Sequence, residues 1–136
     1  MHRYTVELRI ISDHKLDFNL LTSNLGIVPT NTRQHGEVKS ASMLFTESMW
    51  GYSIDPESNS DGWDSLEEAL ESLFCIFLPL KDKIAEYNST YKVVIWCGHF
   101  TSSFDGGPTL SPSILKKLGD FGVELFIDTY RSEESE

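Results

Sequence analysis

The sequence predicts an α+β domain, a two-layer sandwich in which helices cover one face of a ferredoxin-like mixed or antiparallel sheet. Three observations carry that prediction. The chain opens on a period-two alternation, Tyr4, Val6, Leu8 and Ile10 against Thr5, Glu7 and Arg9, as in a strand with one buried face. A capping box, Ser65-Leu66-Glu67-Glu68, starts an apolar helical stripe in the middle. The last third, Tyr91 to Tyr130, reads as strand, glycine loop, short helix and strand. The 136 residues suffice for one domain, 1–136, whose core needs neither disulfide nor metal, with the charged stretch 131–136 a frayed tail.

The elements follow in order. Ser12-Asp13-His14 ends the first strand. From Asp17 to Leu25, Phe18, Leu21 and Leu25 lie on one helical stripe with Leu20 beside them, and Gly26 and Pro29 stop the helix. Asn31 to Ser40 is polar and reads as a loop. Met43 to Ile54 is extended, with Trp50, Tyr52 and Ile54 on one face and a bend near Glu47. An acidic turn, Asp55 to Gly62, leads to the second helix, whose stripe is Leu66, Ala69, Leu70, Leu73, Phe74 and Phe77. Pro79 has no N–H for the carbonyl of Cys75 and so kinks or breaks the helix before a segment with Leu80 and Ile84 reaching about Tyr87. In Tyr91 to Phe100, Val93, Val94, Ile95 and Trp96 leave neither face polar, the mark of an interior strand. Ser111 caps and Pro112 opens the last helix, which ends at Gly119 or Gly122, and Val123, Leu125 and Ile127 alternate in the final strand.

Twenty-one acidic residues against eleven Lys and Arg set a net charge of -10, which opposes nucleic acid and anionic lipid and favours cationic partners, or serves solubility alone. Met1-His2-Arg3 runs straight into a strand with no apolar leader, and the longest apolar run, Leu73 to Leu80, is too short to cross a bilayer. The expectation is a cytoplasmic protein without membrane contact. Cys75 and Cys97 stand alone in apolar surroundings and read as two buried free thiols.

Little in the chain has the spacing that chemistry requires. Histidines 2, 14, 35 and 99 form no helical metal pair, so neither a metal nor a cofactor is expected. His99 leaves its strand beside Thr101, Ser102, Ser103 and Asp105, a group able to hold a nucleophile and base, but without the strained serine elbow. Gly106-Gly107-Pro108 before a capped helix resembles an anion cradle without the rest of a nucleotide fingerprint, and reads as a turn.

A sharper candidate is an acidic surface with aromatic anchors. Trp50, Tyr52 and Trp63 flank Asp55, Glu57, Asp61, Asp64, Glu67, Glu68 and Glu71, with His99 and Asp105 on the rim. Aromatics supply desolvated contact area and carboxylates steer and pair with Lys and Arg, so the set suits a basic protein. The bland alternative assigns the aromatics to the core and the carboxylates to a solvated face. A sheet face with Trp96, Phe126 and Tyr130 near Glu7 and Arg9 has the stacking groups of an RNA platform, but Glu124 and Asp128 share its alternation and the basic groove is missing.

The opening Arg3-Tyr4-Thr5-Val6-Glu7-Leu8-Arg9-Ile10 strand, Leu25-Gly26-Ile27-Val28-Pro29-Thr30, Trp50-Gly51-Tyr52-Ser53 and the stretch from Gly106-Gly107-Pro108-Thr109-Leu110-Ser111-Pro112 to Asp128-Thr129-Tyr130 together resemble the bacterial domain of unknown function 4279. The resemblance spans nearly the whole chain and brings no catalytic residues with it. It implies a small bacterial α+β domain, in a setting that allows a role as the immunity partner of a secreted toxin. Charge, size and resemblance together lead to the expectation of a non-catalytic acidic protein that occludes a basic, nuclease-type toxin. The alternatives are a small ligand-binding accessory domain, with its ligand between sheet and helices near Trp96, and an enzyme using the His99 loop.

Overall fold

The computed structural model describes residues 2–56 and 62–131. Strand β1 (His2–Ser12) is followed by helix α1 (Phe18–Leu25), short strands β2 (Asn31–Arg33), β3 (Val38–Ser40) and β4 (Met43–Leu44), and strand β5 (Ser48–Ile54). Helix α2 (Leu66–Phe77), a 3-10 turn (Leu78–Leu80), helix α3 (Lys81–Thr90), strand β6 (Lys92–Thr101), helix α4 (Pro112–Phe121) and strand β7 (Glu124–Arg131) complete the chain.

The main sheet has the order β2-β5-β1-β6-β7, and β3 pairs with β4 in a separate hairpin. The mixed alternative is the one realised. β1 pairs antiparallel with both β5 and β6, whereas β7 returns parallel to β6 after the α4 crossover. Register then decides which side chains meet. Opposite Leu8 stand Tyr52 and Ile95, and opposite Ile10 stand Trp50 and Val93, so the middle of one face of three strands is apolar.

Among the described residues four helices add to the core on that face: Leu21 and Leu25 from α1, Leu66, Ala69, Leu70, Leu73, Phe74 and Phe77 from α2, Ile84 from α3, and Ile114, Leu118 and Phe121 from α4. Burying each such side chain stabilises by roughly 1.5–3 kcal/mol, which is why the predicted stripes coincide with the packed faces. The helix starts follow the sequence signals. Asp17, Ser65 and Ser111 each accept a hydrogen bond from a backbone N–H three residues on, satisfying one of the free donors of the first turn. Gly26 and Gly122 close α1 and α4 with φ of 70° and 82°, the left-handed conformation that a side chain resists. Pro79 breaks the long helix as expected, through the 3-10 turn.

Two expectations need correction. Asn31 to Ser40, read as a loop, holds β2 and β3, whose polar, exposed residues carry no hydrophobic alternation because β2 is an edge of the sheet and β3 lies outside it. Of the two thiols read as buried, Cys97 is buried but Cys75 is exposed, because it falls off the α2 stripe of Leu66, Ala69, Leu70, Leu73, Phe74 and Phe77.

Candidate binding face

With every helix on one side, the other face of the sheet is built from the complementary alternation. Thr5, Glu7 and Arg9 of β1 stand beside Gly98, Trp96 and Val94 of β6, and these beside Asp128, Phe126 and Glu124 of β7. Phe100 and Tyr130 extend the same rows. Trp96 therefore points away from the helices, and the small-ligand alternative that set its ligand between sheet and helices near Trp96 is corrected accordingly. The apolar positions 93, 95 and 97 are the ones that turn toward the helices.

This face is constructed rather than merely left over. Glu7 is buried in the space above Gly51, where an added Cβ would lie 2.7 Å from its carboxylate. Arg9 Nε donates to Glu7 Oε1 at 2.6 Å, and the Arg9 guanidinium lies over the Trp96 ring at 4.3 Å. The charge of Glu7 is thereby neutralised in place while Arg9 is stacked. Gly98 has the same use: a Cβ there would meet Thr5 Oγ1 at 2.7 Å, Phe100 at 2.9 Å and Trp96 at 3.0 Å, so the two rings close over a position without a side chain. Phe100 and Tyr130 stack at 5.1 Å, and Trp96 tilts toward Tyr130 at 6.5 Å. Phe126, Tyr130 and Phe100 remain 51%, 44% and 41% exposed, a contiguous aromatic surface without a covering layer among the described residues. Tyr130 donates to Asp128 Oδ2 at 2.6 Å, and that hydrogen bond raises the phenol above its ordinary value.

The predicted acidic and aromatic surface is dispersed. Trp50 is fully buried, with its Nε1–H donating to Thr22 Oγ1, so it belongs to the core. Tyr52 is half-buried edge-on to Phe77, and Trp63 is half-buried with its ring N–H on the Ile54 carbonyl. Glu67 Oε1 accepts from the N–H of Ser111 at 2.7 Å, Glu71 pairs with Lys117 at 2.8 Å, and Asp64 lies 3.5 Å from Arg3 Nε. Asp55, Glu68 and Asp105 are exposed; Glu57 and Asp61 lie outside the described residues.

His99 turns inward rather than toward Ser102. It stacks on Tyr4 at 4.7 Å, its Nε2 lies 2.8 Å from Nδ1 of His2, and its Nδ1 lies 3.3 Å from Thr129 Oγ1. The other nitrogen of His2 is 2.8 Å from the carbonyl oxygen of Asp105. Because a carbonyl only accepts, His2 carries its proton on Nε2, His99 donates from Nε2, and Thr129 donates to His99 Nδ1. Burial, and then the charge of His2, lower the pKa of His99. Sequence reasoning found His99 but missed His2, Tyr4 and Thr129, which the strand register alone brings together. Among the described residues no group of three or more His, Cys, Asp or Glu is placed to hold a metal, and no helix is long and apolar enough to cross a membrane.

A family model described as a domain of unknown function, DUF4279, matches residues 2–132. No curated protein and no solved structure matches the chain.

Proposed function

We propose, from the premise that the chain belongs to the DUF4279 family, a domain of unknown function, that it works by binding a basic protein rather than by catalysis. The observation that carries this reading is the sheet face left uncovered among the described residues, where Phe100, Phe126 and Tyr130 stay about half exposed beside a buried Glu7 paired with Arg9. Clustered aromatics of this kind supply the desolvated centre of protein interfaces. The sign of the partner comes from the net charge of -10, which speeds encounter with a cationic surface and opposes an anionic one.

The finest form of the reading is an immunity protein that occludes the active site of a nuclease-type toxin, acting in the cytoplasm of the cell that makes both. Carboxylates then stand where the toxin receives phosphates. The test is titration of the purified protein with the toxin domain encoded beside it, together with protection of cells that express that domain. Saturable binding, weakened by salt and by Phe126→Ser, supports the reading. Neither binding nor protection abandons it.

A second reading, a small-ligand accessory domain, draws on one observation. A groove of about 280 Å³ on the same face is lined by Arg9, Ile11, Lys92, Val94, Trp96, Glu124 and Phe126. It falls just short of the smaller ligand sites, which begin at about 300 Å³, and is open to solvent.

A further inference from the structure

The two edges of the main sheet are finished differently. β2 is three residues long, Asn31–Arg33, and presents almost no free backbone. β7 runs eight residues in unbroken parallel register, from Glu124 opposite Val94 to Arg131 opposite Thr101. Among the described residues nothing pairs with its outer side. Edges that stay monomeric are shortened, bulged, covered, or carry proline or charges, lysine above all. β7 is long and without bulge, proline or lysine; its charges are Glu124, Asp128 and Arg131, and Phe126, Ile127 and Tyr130 on it are exposed.

We propose that β7 is a docking edge that accepts one extended cationic segment of a protein partner by main-chain pairing. The proposal deepens the binding reading above and rests on it. The chemistry of the segment follows from the row that β7 shows on the open face: Glu124, Phe126, Asp128 and Tyr130, carboxylate and ring in alternation. An added strand sets alternate side chains directly against such a row. Lysine or arginine opposite Glu124 and Asp128, and apolar side chains opposite Phe126 and Tyr130, complement it. Glu124 is accessible to such a cation, since its side chain is 71% exposed and its pairing with Lys92 is a long, solvent-exposed one at 3.9 Å. A second copy of this chain fits less well, because the same row holds no cation and its carboxylates would meet only rings or one another.

The experiment uses three synthetic octapeptides: one alternating Lys and Leu with Thr between them, one with Glu in place of Lys, and the first with every amide N-methylated. Exchange of the amide hydrogens of β7 is followed for each, and binding of the neighbouring toxin domain is measured in parallel. The Lys peptide is expected to slow exchange along β7 about tenfold or more, and the other two to leave it unchanged. The double variant Glu124→Lys with Asp128→Lys is expected to prefer the Glu peptide. Equal action of the N-methylated peptide overturns strand pairing, and an unchanged preference in the variant overturns the charge match. Dimerisation of the protein alone with β7 protected gives the edge to a second copy and overturns the partner assignment. A toxin domain that binds without protecting β7 overturns the edge and leaves the binding reading standing. Peptide pairing at β7 without toxin binding does the reverse.

Discussion

His2 and His99, 97 positions apart in sequence, share one hydrogen across 2.8 Å. The contact fastens the start of β1 to the end of β6, and its proton order is set by the Asp105 carbonyl, which only accepts, with the Thr129 hydroxyl free to donate at the other end. Protonation of His99 is opposed by its burial and by the charge of His2.

Stability is therefore predicted to depend on pH through His99. Its folded pKa lies below the ordinary value of 6.5, so the unfolded chain takes up a proton before the folded one does. The contribution is fully present above that value and is lost as the pH falls through it toward the lower folded pKa. Thermal midpoints measured from about pH 8 to about pH 5 should fall in that window, and His99→Gln should flatten the fall. An equal slope in the variant would assign the dependence to other groups.

Trp50 and Phe126 should respond to very different extents. Trp50 sits at zero exposure among the core residues, so Trp50→Ala is expected to cost about 3–5 kcal/mol in chemical denaturation. Phe126→Ser removes a half-exposed ring from the open face and is expected to cost only about 1 kcal/mol. The reverse ranking would contradict the division into a packed face and a free one.

The two thiols are distinguishable by reagent. Cys75 is exposed, while burial pushes the Cys97 thiol up to about 12. At about pH 8 a disulfide reagent should modify one thiol in the folded protein and the second only on unfolding, because the thiolate is the reacting form. Modification of both at one rate would place Cys97 nearer solvent than its position on β6 allows.

What was legible in the sequence was local. Ser65, Ser111, Pro79 and Gly122 act on the backbone within a turn of themselves, so helix boundaries could be read directly. The open face was legible in part, because Glu124, Phe126, Asp128 and Tyr130 fall on one alternation whatever strand lies beside them. Pairings between distant strands left no such mark. Nothing in His2 or Thr129 announces His99, and the Trp50, Tyr52, Ile54 pattern is the same whether that face meets helices or water. The carboxylates of α2 read as one solvated cluster because Glu67 and Glu71 find Ser111 and Lys117 only after α4 has packed.

The unequal edges of the sheet also set a valence. A sheet with two usable margins can be extended from both and can propagate into a fibre. Among the described residues β2 ends after three residues while β7 offers a full strand of eight, so each molecule brings one long margin to such an extension rather than two.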